Sequence, residues 1–401
     1  MRSAPWVPPR EVVTPEWLEA EFVAEAAPWV AEGERTYFDR LAGGADRDMV
    51  LFGAGNLGRR TLAGLRQVGI EPLGFIDNDP SLHWVAVDGL GVLPPAEAAD
   101  RYRDAVIVTT VWSPNRPLVF EDAAVQLRAV GHQRSVPFVP LHWKWADRFL
   151  PYYCLELPHQ LYDRAEAIRT AYALFADPIS QQEFRRQLSY LLSAMDSVAL
   201  GSMNAGTYFP SELFTLSAEE TFIDCGAYDG DTVRAFLNAS RGRFRAAVAF
   251  EPDPDAARRL RAAVSGLPDA QASRIRVEEL AVGDRSGLAY LEAGGTPGSK
   301  ISAQGTHAVP CVTLDAGLAE VPTFIKMDIE GAERAALMGA ERLIQEHRPV
   351  LAVCVYHLQD DLHTLPTLLD RLCDGYSLFL RRQAIDNDLV CFAVPNERLR
   401  K

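Results

Sequence analysis

Two glycines and an acid stand together in the stretch TFIDCGAYDGDT, residues 221–232, between an apolar run and an amphipathic segment. The pattern predicts a strand, a glycine-rich turn and a helix. Because Gly226 and Gly230 have no Cβ, the turn can bring backbone N–H groups and a helix N-terminus close to a ligand. Asp224, at the end of the strand, can bind a cationic or hydroxylic group there. The residues predicted to bind this ligand are Asp224, Gly226, Ala227, Tyr228, Asp229, Gly230 and Thr232.

Three motifs follow one another along the chain, each after a predicted strand: IDCGAYDGDT, KMDIEGAE and CVYHLQDDL. With these motifs the segment 208–395 resembles the FkbM family of S-adenosylmethionine-dependent methyltransferases. The resemblance implies a class I methyltransferase fold with a seven-stranded Rossmann-like sheet. It also implies S-adenosylmethionine as the cofactor and methyl transfer, most often to oxygen. The acceptor is left open.

A second acid follows the next predicted strand, which ends at Phe250. A carboxylate with two oxygens suits two adjacent hydroxyls, such as those of a ribose, and a doubly wound sheet places an acid at this point. We therefore assign Glu251 to the ribose of the cofactor. The alternative is that Glu251 only begins a helix together with Asp253, a predicted N-cap. A third strand is predicted to end at Ala281 and Val282, which would border the adenine ring.

Two later strands each end in a residue that can direct or accept a proton: strand 323–327 precedes Asp328, and strand 350–356 precedes His357. In a class I methyltransferase sheet these strands are neighbours, ~4.8 Å apart, so the two side chains are expected to meet. A hydroxyl acceptor must lose its proton, and histidine is suited to take it. Lys326, inside the apolar strand, needs an acidic partner or faces the crevice. We predict His357, Asp328 and Lys326 as catalytic residues.

A divalent cation is the alternative to a metal-free acid–base pair at this place, because carboxylate and imidazole groups together bind several such ions. The predicted ligands are Asp328, His357 and Glu330, with Asp360 or Asp361 as alternatives to Glu330. Glu333 lies in the first turn of the next helix, where the helix dipole favours an acid without any chemical role. The sequence leaves both mechanisms open.

A second glycine turn lies in the N-terminal part of the chain, in MVLFGAGNLGRR. Gly53, Gly55 and Gly58 have the G-x-G-x-x-G spacing, and Asp77 follows close to the ~20 residues expected for a ribose-binding acid. The pattern predicts a small Rossmann-like domain that binds a nucleotide. This part resembles the N-terminal domains of some sugar-modifying enzymes, which bind nucleotide-linked sugars. The alternative is that the glycines serve strand-to-helix packing and that Asp77 belongs to a turn.

The composition limits the partners. The chain has 401 residues and a formal net charge of −14, which argues against nucleic acid or an anionic membrane, because phosphate binding needs clustered Lys and Arg. There is no apolar run of about 18 residues and no basic-then-apolar leader, so we expect a cytoplasmic protein with a small-molecule substrate. The six cysteines show no C-x-x-C pairing, which is typical of reduced core thiols and not of a zinc site.

These elements predict four parts of an α/β protein. They are a helical segment 1–45, a small Rossmann-like domain 46–140, a helical connector 141–207 and the methyltransferase domain 208–401. The connector has the pattern of a helical hairpin, which would serve as an interface in a homo-oligomer or as a lid. The glycine-rich segment 293–302 is predicted to be a substrate lid.

The predicted function is S-adenosylmethionine-dependent methylation of a hydroxyl on a sugar or a sugar-containing metabolite. This acceptor is favoured because the family resemblance and the nucleotide-sugar interpretation of the N-terminal domain agree on it. One alternative is a regulatory protein that binds the cofactor or a nucleotide without turnover. Another is a nicotinamide-dependent oxidoreductase that works through the N-terminal domain, for which no catalytic pair is evident after the strand at 105–111.

Overall fold

Apolar runs that end in a glycine or an acid become the central strands of two separate sheets in the computed structural model. The structure describes residues 4–111, 119–152, 154–193, 208–292, 300–301, 305–383 and 388–400. These residues divide into two compact units, a first unit of 4–169 and 185–193, and a second unit of 170–184, 208–383 and 388–400. Each unit contains its own parallel-dominated sheet.

The strands of the first unit are β1 (Met49–Phe52), β2 (Phe75–Ile76), β3 (Ala86–Val87), β4 (Leu90–Leu93), β5 (Val106–Thr109) and β6 (Ser135–Pro137). They form one sheet in the order β3-β4-β2-β1-β5-β6, which is parallel except for the β3–β4 pair. β1 and β5 are buried along their whole length, as expected for a parallel sheet covered on both faces. Because β2 and β5 lie on opposite sides of β1, the strand order reverses there, which is where such sheets bind ligands.

The helices that begin in the N-terminal half are α1 (Pro15–Ala20), α2 (Ala27–Ala42), α3 (Asn56–Gln67), α4 (Pro95–Arg101), α5 (Val119–Ala129), α6 (Phe138–Lys144), α7 (Ala146–Phe149), α8 (Pro158–Asp163), α9 (Ala165–Ala173) and α10 (Pro178–Leu192). α1 and α2 lie within the helical segment predicted for residues 1–45. The Thr14 side chain caps α1 by accepting a hydrogen bond from the Trp17 N–H, and a proline opens its first turn.

The strands of the second unit are β7 (Thr221–Cys225), β8 (Ala246–Phe250), β9 (Ile275–Glu278), β10 (Ala281–Val282), β11 (Gly287–Glu292), β12 (Lys300–Ile301), β13 (His307–Val312), β14 (Phe324–Met327), β15 (Val350–Cys354), β16 (Tyr376–Arg382) and β17 (Leu389–Pro395). Seven of them form the main sheet in the order β16-β17-β15-β14-β7-β8-β9, in which only β17 runs antiparallel to its neighbours. The seven-stranded sheet predicted for this part of the chain is thereby confirmed.

The helices of this unit are α11 (Asp231–Ala239), α12 (Pro254–Ser265), α13 (Asp269–Ala272), α14 (Leu314–Gly317), α15 (Glu333–Met338), α16 (Glu341–His347) and α17 (Asp361–Leu372). The core beside the sheet is aromatic. Phe222 of β7 stacks on Phe236 of α11 with ring centroids 4.6 Å apart, and on Phe324 of β14 at 5.4 Å. These fully buried rings tie β7 to its neighbouring strand and to the helix after the glycine turn.

The third strand of the main sheet lies earlier than the sequence predicts. It is β9, Ile275–Glu278, whereas Ala281 and Val282 form β10, which pairs with β13 in a separate four-stranded sheet of order β10-β13-β11-β12. β9 is an edge strand in which only Ile275 is fully buried, so its sequence lacks the continuous apolar run of a central strand. The more apolar Leu280–Val282 therefore drew the prediction to the wrong strand.

Two further expectations concern the end of β15 and the predicted substrate lid. β15 ends at Cys354, so His357 lies in the loop beyond the strand and not at its last position. The predicted lid at 293–302 falls largely outside the described residues. Among the helices that the structure does describe, none is both long enough and apolar enough to cross a membrane.

Candidate functional site

The turn after β7 requires glycine for a reason internal to the protein. Gly226 has a φ of +82°, and a Cβ at this position would lie 1.8 Å from the backbone oxygen of Asp328. The turn therefore packs directly against the end of β14. Gly230 has a φ of +90° and precedes α11 without any side-chain cap, and Tyr228 adopts a φ of +44°. Within the first turn of α11, the Thr232 N–H is already accepted by the Asp231 side chain at 2.7 Å.

The acid after β8 closes onto this turn. One carboxylate oxygen of Glu251 accepts the Tyr228 N–H at 2.8 Å, and the other accepts the Asp253 N–H at 2.9 Å. Burial raises the pKa of Glu251, and the two backbone N–H groups oppose that shift. Asp253 is the N-cap of α12, as the sequence predicts, because its side chain accepts the N–H groups of Asp255 and Ala256. Glu251 is therefore more than part of a helix start, since it joins the glycine turn to the next strand.

Asp224 is completely buried and pairs with Lys326, which stands directly opposite it in the β7–β14 register. The Lys326 Nζ lies 3.1 Å from the Asp224 carboxylate and donates to the backbone oxygen of Gly226 at 2.6 Å. Burial raises the pKa of Asp224 to about 6, against the effect of Lys326. Burial alone would lower the pKa of Lys326, but Asp224 and Asp328 raise it above its ordinary value. A lysine held in its charged form fixes the turn. It has no free lone pair and therefore cannot act as a base.

Asp328, at the end of β14, is a quarter exposed and is held by two phenols. The Tyr208 hydroxyl donates to one oxygen at 2.9 Å, and the Tyr356 hydroxyl donates to the other at 3.4 Å. Burial raises the pKa of this carboxyl, but Lys326 and His357 together lower it well below its usual range. Asp328 is therefore a fixed negative charge at the mouth of the crevice.

His357 meets Asp328, as predicted, and two glutamates as well. Its Nε2 lies 3.3 Å from the Asp328 carboxylate and 3.9 Å from that of Glu330, while its Nδ1 lies 2.9 Å from Glu333 Oε1. Burial lowers the pKa of His357, but Glu333 and Asp328 raise it well above its ordinary value. The surrounding carboxylates therefore favour the protonated imidazole, which cannot take a proton from an acceptor.

The sequence suggests that Glu333 only provides a favourable charge at the start of a helix, but in the structure it has a further role. It is almost fully buried, and its two oxygens accept the backbone N–H groups of Ile329 at 2.8 Å and Gly331 at 3.0 Å. These bonds hold the turn in which Glu330 adopts a φ of +57°. Burial raises the pKa of Glu330 to about 7, with His357 acting in the opposite direction. The turn thus presents Glu330, which is 26% exposed, next to His357 Nε2.

Sequence reasoning missed several residues of this cluster. Tyr208 is separated from Asp328 by 120 positions, and no motif connects them. Tyr356 directly precedes His357, and this adjacency in sequence could have indicated that Tyr356 belongs to the cluster. Asp361, which the sequence offers as an alternative metal ligand, is buried and instead accepts the Leu358 N–H at 2.9 Å, which fixes the loop after His357. Burial, followed by the charge of Glu333, raises the pKa of Asp361 to about 8.

The remaining predicted cofactor residues are spread around the turn. Asp229 forms an exposed ion pair with Arg234 at 2.9 Å, and Tyr228 lies under the guanidinium of Arg259, 5.1 Å from the ring centroid. Ala227 and Thr232 are buried. The structure therefore gathers Asp224, Gly226, Glu251, Lys326, Asp328, Glu330 and His357 along the ends of β7, β8, β14 and β15, and places Ala281 and Val282 in the other sheet.

The first unit contains the second predicted site. Gly53 has a φ of +114°, and a Cβ on Gly58 would lie 1.8 Å from the Gly53 oxygen, whereas a Cβ on Gly55 would meet nothing within 4 Å. The Asp77 carboxylate accepts the Ala54 N–H at 2.7 Å. Gly58 is thus needed for strand-to-helix packing, as the alternative interpretation holds, while Gly55 leaves open space.

Comparison with known proteins agrees with this geometry. Residues 224–374 match the family model for the methyltransferase FkbM domain. The crystal structure of methyltransferase FkbM from Methylobacillus flagellatus is similar over 95% of this chain and 100% of its own, with a TM-score of 0.76 and 23% identity. The FkbM resemblance of the C-terminal part and the class I methyltransferase fold are thereby confirmed. No functionally curated protein matches the sequence.

Two partial likenesses are weaker. UDP-D-quinovosamine 4-dehydrogenase from Vibrio fischeri covers 23% of this chain and 78% of its own, with 21% identity and a TM-score of 0.19. A Streptococcus mutans protein assigned as a methyltransferase, solved in complex with SAH, covers 46% of this chain and 93% of its own, with 13% identity and a TM-score of 0.28. Both TM-scores are too low to bear on the ligands of this chain. The FkbM domain match supports a methyltransferase of the FkbM type that uses S-adenosylmethionine.

Proposed function

We propose that the second unit transfers a methyl group from S-adenosylmethionine to a hydroxyl of a small, sugar-containing acceptor. The observation that carries this proposal is the array at the ends of β14 and β15, where Asp328, Glu330 and Glu333 surround His357 beside the glycine turn. A hydroxyl oxygen becomes nucleophilic only as it loses its proton, and charged groups fixed in this way can direct that loss.

The residues around the turn fit the cofactor. Glu251 lies against the glycine turn through the Tyr228 N–H and offers a carboxylate whose oxygens can accept ribose hydroxyls beyond their present backbone partners. S-adenosylmethionine supplies a methyl group on a positively charged sulfur. We assign Asp224 and Lys326 to holding the turn, because both are almost fully buried and paired with each other.

The carboxylates on the acceptor side differ in how firmly hydrogen bonds hold them. Asp328 is held by two phenols and Glu333 by two backbone N–H groups, so both can orient other groups. Glu330 has no hydrogen bond within the described residues and is partly exposed, so it can approach an acceptor. As the oxygen–carbon bond forms, the carbon–sulfur bond breaks, sulfur keeps the electron pair, and the hydroxyl proton must leave.

The same residues allow two routes for that proton. Without a cation, the surrounding carboxylates favour the protonated form of His357, and the Glu330 carboxylate is the group that takes the proton. A divalent cation held by Asp328, Glu330 and His357 in place of the imidazole proton would make the acceptor hydroxyl more acidic, so that its proton could leave to solvent. The prediction that His357 itself is the base requires it to be neutral, which the surrounding carboxylates disfavour.

A thermal-shift titration with S-adenosylmethionine, followed by an assay of S-adenosylhomocysteine release with sugars and glycosides, tests the proposal. A ligand at 100 times its Kd stabilises the folded protein by about 2.7 kcal/mol. Stabilisation with turnover on hydroxylated acceptors is expected. Stabilisation without turnover on any acceptor favours a regulatory protein, and stabilisation by reduced nicotinamide cofactor alone favours an oxidoreductase.

For the first unit we propose binding of a nucleotide sugar in the crevice beside Gly53, Gly55 and Asp77. The open space at Gly55 and the reversal of strand order beside β1 support this. A cytoplasmic location and a homo-oligomer formed through the helical connector stay predictions. The same thermal-shift series with UDP-glucose tests the nucleotide-sugar proposal directly.

A further inference from the structure

His357 is buried among more negative charge than one imidazole can balance. Its side chain is 6% exposed, and neither ring nitrogen makes a well-directed hydrogen bond within the described residues. Three carboxylates, those of Asp328, Glu330 and Glu333, lie within 4 Å of the ring nitrogens. The Lys326 ammonium also approaches Asp328 but lies closer to Asp224, at 3.1 Å against 3.8 Å. The cluster therefore has an excess of acids at one partly open edge.

Glu333 determines which ring nitrogen can serve a ligand. Its Oε1 lies 2.9 Å from Nδ1 of His357, and its two oxygens are fixed by the backbone N–H groups of Ile329 and Gly331. A carboxylate on one ring nitrogen keeps the proton there and leaves the lone pair on the other nitrogen. Histidines that bind metals almost always have such a partner.

The free nitrogen faces the two partly exposed acids. Nε2 lies 3.3 Å from Asp328 Oδ1 and 3.9 Å from Glu330 Oε2. Two ligand atoms bound at ~2.1 Å by one ion lie about 3.0–3.4 Å apart, so the first distance already fits and the second needs a small movement. Glu330 can make that movement, because it has no other polar partner in the part of the chain that the structure describes.

We propose that His357 Nε2, Asp328 and Glu330 bind a divalent cation of the Mn²⁺ type, oriented by Glu333. One imidazole and two carboxylates suit such an ion better than Ca²⁺, which prefers oxygen alone. Ligand atoms of Asp328, Glu333 and His357 also lie within 4.8 Å of one another, but Glu333 is committed to Nδ1 and to the turn. The cation's role, to acidify the acceptor hydroxyl, rests on the proposed function; the binding site does not.

Mn²⁺ binding to the full chain, after treatment with a chelator, tests the site. Loss of the free Mn²⁺ signal in electron paramagnetic resonance counts bound ions without any need for activity. We expect one tightly bound Mn²⁺ per chain, and loss of that binding in Glu330→Gln and Asp328→Asn. Glu333→Gln should weaken the affinity by roughly 10–100-fold, the range for a residue that supports a metal-bound histidine.

Asp370→Asn, an exposed change in α17, is the matched control, because it removes one negative charge and leaves the three ligands and the loop after His357 intact. Its Mn²⁺ affinity should equal that of the parent. The cation site is overturned if the parent binds no Mn²⁺, or if Glu330→Gln and Asp328→Asn bind it as tightly as the parent does. Circular dichroism of each variant separates lost binding from lost folding.

The same samples are titrated with S-adenosylmethionine. Stabilisation by S-adenosylmethionine without Mn²⁺ binding removes the cation site and leaves the proposed methyl transfer intact, with Glu330 as the base. Mn²⁺ binding that depends on Glu330 and Asp328, without any stabilisation by S-adenosylmethionine, supports the site and contradicts the methyltransferase proposal.

Discussion

The two units contain the same backbone arrangement at their glycine turns. In the first unit the Asp77 carboxylate accepts the Ala54 N–H at 2.7 Å, and in the second the Glu251 carboxylate accepts the Tyr228 N–H at 2.8 Å. Each acid follows the strand next to the turn, and each also accepts the N–H two residues further on, at 2.9 Å. An acid bonded to its own glycine turn is therefore a feature of the fold and does not by itself indicate chemistry.

The difference lies in what the strand on the other side of the turn supplies. In the first unit, β5 is followed by Thr110, whose hydroxyl donates to the Gly53 oxygen at 3.0 Å and stabilises the turn. In the second unit, β14 is followed by Asp328, and His357 follows β15. The turn can therefore make a place for a ligand, whereas the charged residues beyond β14 and β15 make a place for a reaction.

Buried histidines show the same contrast. His142 of the first unit is completely buried, stacks on Phe149 and has only the Thr61 hydroxyl near its Nε2, at 3.3 Å. Burial lowers the pKa of His142 to about 3. His357 is nearly as buried, but the carboxylates of Glu333 and Asp328 raise its pKa. The first unit buries a ring whose surroundings favour the neutral form, and the second buries one whose surroundings favour the charged form.

The largest expected effect is the loss of turnover in the second unit with its cofactor binding retained. His357→Ala should lower turnover by roughly 10²–10⁴, the range for loss of a group that directs proton transfer. Stabilisation by S-adenosylmethionine should stay at the parent value, because the turn and Glu251 are untouched. The measurement is S-adenosylhomocysteine release together with a thermal-shift titration.

His347→Ala, on the more exposed end of α16, is the control for this experiment and should keep full turnover. If His357→Ala also turns over like the parent, the cluster beyond β14 and β15 is not the reacting site. The second unit would then be a binding fold like the first, and the proposed division between binding and chemistry would be wrong.

The second prediction concerns the loss of Glu251, the acid that is bonded to the glycine turn of the second unit. Glu251→Ala should abolish the stabilisation of about 2.7 kcal/mol that S-adenosylmethionine gives at 100 times its Kd. The substitution removes the carboxylate and leaves the Tyr228 and Asp253 N–H groups without their present acceptor. Asp255→Ala, an exposed change in α12, should keep the full stabilisation. Equal stabilisation of both variants would remove Glu251 from the cofactor site.

Gly226 is a less informative position for the same question. Its φ is positive, and any side chain there meets the Asp328 backbone oxygen at 1.8 Å. A substitution such as Gly226→Val therefore disturbs the packing of the turn against β14 before it affects a ligand. This differs from the expectation, drawn from the sequence, that the glycine is needed for the ligand's approach.

The sequence predicts the meeting of Asp328 and His357 because both follow neighbouring parallel strands, and this rule needs no side-chain detail. It also identifies Glu251, which follows β8. The contacts of Tyr208 and Glu333 could not be predicted in the same way. Tyr208 approaches Asp328 from a distant segment, and the role of Glu333 depends on a turn whose residue 330 has a left-handed φ.

The position of β9 could not be predicted for a different reason. Hydrophobic runs identify central strands, which are buried on both faces, but an edge strand with one buried residue carries little of that signal. The more apolar residues Ala281 and Val282 belong instead to the four-stranded sheet, where both are buried. Sequence pattern alone cannot tell two sheets apart when both contribute to one stretch.

The third prediction sharpens the contrast between the two histidines. Because the pKa of His142 is depressed in the folded state, the unfolded chain binds the proton first, and stability is lost as the pH falls from about 6.5 towards 3. At pH 5 this loss amounts to ~2 kcal/mol. His142→Phe, which keeps a ring against Phe149, should remove that part of the pH dependence in urea unfolding measured at pH 7.5 and pH 5. The exposed His307→Gln should keep it, and an unchanged pH dependence in His142→Phe would contradict the assignment.

The smallest expected effect concerns the first unit and the cofactor of the second. Gly55→Val adds a side chain where nothing lies within 4 Å, at a φ of −75° that valine tolerates, so the fold should survive. Asp77→Ala removes the acceptor of the Ala54 N–H. Both variants should reduce stabilisation by UDP-glucose and leave stabilisation by S-adenosylmethionine unchanged, because each unit has its own turn and acid. If S-adenosylmethionine stabilises either variant less than the parent, the two turns do not act independently, and the comparison between them has to be replaced by a single shared site.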